Sequence, residues 1–166
     1  MPKWSEIDET QIEVATGARI KFSVNGGPLR FQIPRGVTEW GIGSYKSFQV
    51  GVHDETFIEW FQKLERTLCP GEPFKSNLTG HQFRIKVDDR TLVFDQDAKF
   101  VTDEIREGFL KGKSVSCIID IDGSYFYKGT WGLSIRAHHI KYYADVEPDD
   151  EPAEQVLKGC AFLPIE

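Results

Sequence analysis

In residues 19–48, Phe22, Phe31, Trp40, Tyr45 and Phe48 lie among Arg19, Lys21, Arg30, Arg35 and Lys46, with Glu39 the single acid. In residues 111–143, Tyr125, Phe126, Tyr127, Trp131, Tyr142 and Tyr143 lie among Lys111, Lys113, Lys128, Arg136 and Lys141. Arg84 and Lys86 add two cations where they alternate with Phe83, Ile85 and Val87. Interleaved rings and cations suit an unpaired nucleic-acid strand: bases stack on aromatic faces, worth ~1–3 kcal/mol each, while Lys and Arg follow the phosphates. Alternation along a strand sends half of such rings into a core. Phe22 and Phe31, in phase with Ile20 and Ile33, are expected inside. Trp40, Tyr45, Tyr125, Tyr127 and Trp131 are then the expected stacking platforms. The cations expected on phosphates are Arg30, Arg35, Lys46, Arg84, Lys86, Lys111, Lys113, Lys128, Arg136 and Lys141.

Other chemistry has weaker support. The chain has no GxSxG, HExxH or Walker-type loop, and Gly41-Ile42-Gly43 lacks both the third glycine and the helix of a dinucleotide fingerprint. His138 and His139 fall in a predicted strand, where neighbours point to opposite faces, so both could ligate one metal only across a bulge. Asp120 and Asp122 share one side of a strand end, a geometry magnesium can use. Turn chemistry before Gly123 accounts for Asp122 equally well. No catalytic residue, metal or cofactor is expected.

The elements that must position these residues are mainly strands. Alternation over Ile20, Phe22 and Val24, then over Leu29, Phe31 and Ile33, predicts an extended hairpin from Glu13 to Ile33 about Asn25-Gly26. A looser segment with Gly36, Gly41 and Gly43 leads to a predicted strand over Tyr45 to Val52. Phe57, Phe61, Leu64 and Leu68 then recur at helical spacing, with Asp54 placed to cap the helix and Cys69-Pro70-Gly71 to stop it. Phe83 to Val87 and Thr91 to Asp95 predict a second hairpin about Asp88-Asp89-Arg90. Thr102 to Leu110 suits a short helix or turn. Strands follow over Val115 to Ile121, Tyr125 to Tyr127 and Trp131 to Tyr143, separated by Asp122-Gly123-Ser124 and Lys128-Gly129-Thr130.

Composition limits what these elements can build. With 166 residues, of which 40% are hydrophobic and 13% aromatic, the chain can form one core without disulfides or metals. Cys69, Cys117 and Cys160 are far apart and show no CxxC spacing, which fits a reducing compartment. The polar start and the lack of any long apolar stretch suggest a soluble, intracellular protein with no membrane partner. Residues 145–166 carry seven acids against Lys158 alone, which accounts for the whole net charge of −6. The body over residues 1–144 is therefore balanced. The acids and Pro148 and Pro152 predict a flexible tail, able to lie in a cationic groove of its own chain or to meet a partner.

Several short segments carry a resemblance: Lys111-Gly112-Lys113-Ser114-Val115, Ile118 to Ile121, Gly123-Ser124-Tyr125-Phe126, Gly132-Leu133-Ser134-Ile135 and Ile140-Lys141-Tyr142-Tyr143, followed by the acidic run. Together they resemble the single-stranded-DNA-binding proteins of DNA viruses, both the phage replication type and small proteins of large double-stranded DNA viruses. In those proteins a lysine-glycine turn opens a barrel strand, a Tyr-Phe strand crosses the barrel, and a last strand precedes an acidic tail. The helix between early strands agrees with the phage type, whereas the tail here ends in Pro164-Ile165-Glu166 and not in an aromatic tip. The resemblance covers the last third best. It implies a mainly β, OB-fold-like five-stranded barrel over 1–144 with one amphipathic helix, and a flexible acidic tail over 145–166. It further implies a non-enzymatic, sequence-tolerant protein of DNA replication or recombination. The partners would be single-stranded DNA, replication proteins met through the tail, and further copies of the chain; in a virus the setting would be host cytoplasm or nucleus. The alternative from another class is a β-barrel or sandwich that serves virion or complex assembly, with its aromatic residues as interface contacts.

Overall fold

β-Branched and aromatic residues in alternation, broken by Gly and Asn-Gly turns, produce a mainly β fold with a single α-helix among the described residues. The computed structural model describes residues 3–16, 19–43, 46–99 and 110–143. Two short 3-10 turns, Trp4–Glu6 and Glu9–Gln11, lead into β1 (Ile12–Ala15), β2 (Ile20–Val24), β3 (Gly27–Pro28), β4 (Arg30–Gln32), β5 (Gly36–Thr38) and β6 (Ser47–Gly51). Helix α1 (Glu55–Leu68) follows, then β7 (Phe74–Lys75), β8 (Leu78–Thr79), β9 (Gln82–Lys86), β10 (Leu92–Phe94), β11 (Lys113–Tyr127) and β12 (Thr130–Tyr143).

Five of these strands close a ring in the order β5, β6, β9, β12, β11 and back to β5. All the ring contacts are antiparallel except β9 with β12, which is parallel. The result is a closed, mixed five-stranded barrel, OB-fold-like, with α1 in the connection from β6 to β9. The acidic tail assigned to 145–166 and the helix or turn expected at 102–109 lie outside the described residues.

The long β11–β12 hairpin is the spine of this arrangement. Its turn, Lys128-Gly129, has φ of 48° and 81°, the pair of positive values that a two-residue hairpin turn requires. Along its outer edge β11 takes β5, β4 and β2 in succession. At Gly123 the β2 backbone comes so close that a Cβ would collide with the Ile20 carbonyl, so only glycine lets β2 pair there. The free edge of β12 takes β7, β9 and β10 in succession, all parallel.

Partner choice accounts for the departures from expectation. The Asn25-Gly26 turn forms, with φ of 51° and 79°. The Glu13–Ile33 hairpin does not: β2 pairs with β1 and briefly with β3, and β4 leaves to pair with Ile118–Asp120 of β11. The Phe83–Asp95 segment is not a hairpin either. Both β9 and β10 run along β12 in the same direction, offset by a jog in which the Thr91 hydroxyl donates to the Ala137 carbonyl at 2.7 Å. The turn expected at Asp122-Gly123-Ser124 is a bulge inside one continuous strand, since Ile121 faces Ile135 and Gly123 faces Ser134. Alternation identifies a strand but carries no address for its neighbour.

The helix forms as its pattern requires. The Asp54 carboxylate accepts the Phe57 amide at 3.1 Å, and Phe57, Ile58, Phe61, Leu64 and Leu68 are buried. Each contributes ~1.5–3 kcal/mol of apolar burial relative to exposure. Phe57 and Phe61 stack together and both meet Phe83 of the barrel.

One buried charge cluster ties the strands together. Asp120, 1 % exposed, accepts from Arg30 on β4 at 2.6 and 3.0 Å and from Arg136 on β12 at 2.6 Å. Replacing Asp120 by Ala would leave both guanidiniums facing each other without a counter-charge. Asp120→Ala is expected to lose ~3–5 kcal/mol of unfolding free energy in urea titrations, the scale of breaking a buried ion pair.

Candidate nucleic-acid interface

Pairing along the free edge of β12 is interrupted. Lys75 of β7 faces Gly132 and Lys86 of β9 faces Arg136, but no strand is paired to that edge at residues 133–135. The gap is a groove of about 360 Å³ lined by Leu133, Ser134 and Ile135 with Ser47, Lys75, Ser76, Asn77, Arg84, Lys86 and Tyr125. Arg84 and Lys86 reach it because β9 alternates, with Phe83 and Ile85 inward and the two cations outward. The β6 partner residues of Arg84 and Lys86 are Gln49 and Ser47, so the neighbouring strand adds no charge.

The helix fixes one wall of this groove. Glu65, buried on α1, accepts from the Ser76 hydroxyl at 2.6 and 2.8 Å and from the Asn77 amide at 3.2 Å. Burial pushes its carboxyl above the usual range, while the Ser76 and Asn77 bonds pull the other way. The irregular stretch carrying Lys75 is thereby pinned to a regular element.

Tyr125 forms the border. It is opposite Gly132, where a Cβ would lie 2.6 Å from the tyrosine ring and hydroxyl. The missing side chain is what lets the ring rest on the strand. The ring remains 47 % exposed. Beyond it lies a second groove, of about 650 Å³, lined by Arg19, Ile20, Lys21, Asp122, Gly123, Ser124, Phe126 and Trp131, and sharing Tyr125 and Ser134 with the first. Phe126 stacks on Trp131 at 5.0 Å between centroids and is exposed. Asp122 is the extra residue of the β11 bulge. Its carboxyl is raised mainly by burial and also by the charges of Asp120 and Asp88, against the pull of Arg136 at 3.7 Å.

The expected site residues divide into distinct groups. Arg84, Lys86 and Tyr125 line the first groove, and Trp131 lines the second. Lys46 is exposed next to Lys86, since its carbonyl accepts the Val87 amide. Tyr127 and Lys128 are exposed at the hairpin tip, with the ammonium 5.3 Å from the ring centroid. Trp40 is exposed in the loop between β5 and β6, and Tyr45 lies outside the described residues. Lys111 is exposed and Lys113 half-buried at the start of β11 beside Thr38, and neither lines a groove.

Arg30, Arg35, Arg136 and Lys141 are engaged within the fold. Arg30 and Arg136 hold Asp120, and Arg136 also reaches Asp88 at 3.4 Å. The Arg35 side chain donates to Ser114 at 2.7 Å and lies 3.6 Å from the Tyr143 ring centroid. Lys141, 1 % exposed, has its ammonium 4.4 Å from the same ring centroid. Sequence reasoning put these four on the surface because cations usually are there. Here β4 and β5 cover β11, and each cationic head meets a carboxylate, hydroxyl or ring that makes burial tolerable. Conversely, Arg19, Lys21, Lys75 and Phe126 border the grooves without having been singled out. Phe126 was legible as part of the Tyr-Phe-Tyr run; Lys75 follows no alternation and gave no signal.

The histidine pair departs from simple alternation. His139 faces Ile118 and Ala137 faces Ile119, so His138 is a bulge residue, and the two rings stack at 4.1 Å. Among the described residues, no cluster of three or more His, Cys, Asp or Glu side chains comes together to hold a metal ion.

A scan against models of protein families finds no match to this chain, and searches of curated proteins and of solved structures likewise find none.

Burial holds the pKa of His139 down to about 4, helped by the charges of His138 and Arg30, from an ordinary value of 6.5. Unfolding therefore takes up a proton between those two values. This contribution to stability is complete above pH 6.5 and is lost as pH falls toward 4. Denaturant midpoints should decline across that window, and His139→Gln should flatten the decline; parallel curves for the two proteins would contradict this account.

Proposed function

We propose that this is a non-enzymatic, sequence-tolerant single-stranded-DNA-binding protein acting in DNA replication or recombination, the setting of the viral and phage proteins that its last third resembles. The observation that carries the proposal is the groove between β9 and β12. Lys75, Arg84 and Lys86 stand along it, no acidic side chain lines it, and the exposed Tyr125 ring borders it. In an OB-fold, oligonucleotides lie across the second and third barrel strands and the adjoining loops. Here those strands are β6 and β9, and the loops carry Trp40 and Lys46 on one side and Tyr127 and Lys128 on the other. Cations would take phosphates, and a base would stack on Tyr125, which its seat on Gly132 holds ready at little entropic cost.

The tail fits the same scheme. Seven acids against one lysine in residues 145–166 make a segment that would compete with DNA for the cationic groove. A second reading, assembly into a larger complex, has the exposed rings of Phe126 and Tyr127 in its favour, since aromatic residues dominate interface hot spots.

Titration with oligo-dT at low salt is expected to quench tryptophan fluorescence and to be reversed by salt. Replacing Arg84 and Lys86 together by Ala should weaken binding at least about tenfold and make the salt dependence shallower by about one unit of slope, as about 0.7 is lost per phosphate contact. No response at micromolar DNA, together with concentration-dependent oligomers, would replace this function with the assembly role. Deleting residues 145–166 should tighten oligo-dT binding at low salt, and an unchanged affinity would remove the tail from the groove.

A further inference from the structure

The two grooves that meet at Tyr125 differ in chemistry. The first offers Lys75, Arg84 and Lys86 and no acid, which suits phosphates. The second is larger, at about 650 Å³, and mixes the rings of Phe126 and Trp131 with Arg19 and Lys21, the hydroxyls of Ser124 and Ser134, and one carboxylate, Asp122. That volume is in the range of small-molecule sites, where apolar walls surround a few placed polar groups. A carboxylate in a groove meant only for phosphates would oppose binding. Its presence makes sense if the group facing it is a base.

Asp122 is aimed by a bulge. Ile121 and Gly123 keep their partners on β12, and the extra residue between them projects its side chain, 45 % exposed, at the edge of the arginine cluster. Bulges often serve to re-aim a side chain beside a functional site. Arg136 remains held by Asp120 at 2.6 Å, so the fold does not depend on Asp122 for that charge.

We infer that the second groove receives one nucleobase of the bound strand and that Asp122 reads it as guanine, with Arg19 and Lys21 on the flanking phosphates. A carboxylate accepts two hydrogen bonds side by side. Guanine presents N1–H and N2–H₂ as adjacent donors on its Watson–Crick edge. Adenine and cytosine each place a ring acceptor next to their amino group, and thymine has one N–H between two carbonyls. Only guanine meets both carboxylate oxygens without repulsion. The inference rests on single-stranded DNA binding as proposed above, and adds one base-preferring position to an otherwise sequence-tolerant track.

The test is competition anisotropy on the full-length protein with oligo-dT of about 12 nucleotides, within the site sizes of OB-folds, and with the same oligomer carrying a single central dG, dA, dC, deoxyinosine or 7-deaza-dG. The dG oligomer is expected to bind at least about fivefold more tightly than oligo-dT, the low end of what a bidentate pair discriminates. The 7-deaza base should keep the preference, and deoxyinosine, which lacks the N2 amine, should lose most of it. Asp122→Asn should abolish the preference while holding oligo-dT affinity within about twofold. Equal affinity for dG and dT oligomers in the unaltered protein would overturn the inference, as would a preference that survives in Asp122→Asn. Failure to bind any oligomer would instead refute the function proposed above, and this inference with it.

Discussion

Strand β12 has more edge than any one neighbour can cover, and this constraint shapes the molecule. The β11–β12 hairpin is far longer than the other strands, so β7, β9 and β10 share its free side in turn. Strands that share an edge cannot abut perfectly, because each must turn away into its own connection. The break between β7 and β9 falls at residues 133–135, and the first groove is that break. A fully paired sheet would have no trough there, and the cations of β9 would stand on a flat surface.

Holding such a patchwork together needs contacts that pairing does not supply. Asp120 links β4, β11 and β12 through two guanidiniums, and Arg136 extends the link to Asp88 in the jog before β10. Glu65 does similar work from the helix, fixing Ser76 and Asn77. Both carboxylates are buried and fully engaged, which is the condition under which buried charge is tolerated. The cost of desolvating them is offset by placement: each holds a short strand or loop that has little apolar area of its own.

The same arrangement separates two kinds of surface around Tyr125. On one side are cations and hydroxyls without acid; on the other, rings, two cations and one carboxylate. The tyrosine ring sits between them because its cross-strand partner is Gly132. A ligand long enough to touch both would pass over a flat aromatic face. This is the geometry that the proposed function uses, and it would serve a protein partner only if that partner also offered alternating charge and apolar surface.

Much of the fold is legible in local sequence. The helix from Asp54 to Cys69, the Asn25-Gly26 turn, the burial of Phe22 and Phe31, and the outward placement of Arg84 and Lys86 follow from periods of 3.6 and 2 and from turn chemistry. These depend on neighbours within a few residues, where backbone geometry decides which side chains share a face. What the sequence could not decide is which strand lies beside which. That choice puts Arg30, Arg35, Arg136 and Lys141 inside the fold, and it brings Lys75, Arg19 and Lys21 from distant segments to the groove rims. Pairing partners far apart in the chain are selected by the summed burial and hydrogen bonding of the closed barrel, a property that no single segment carries.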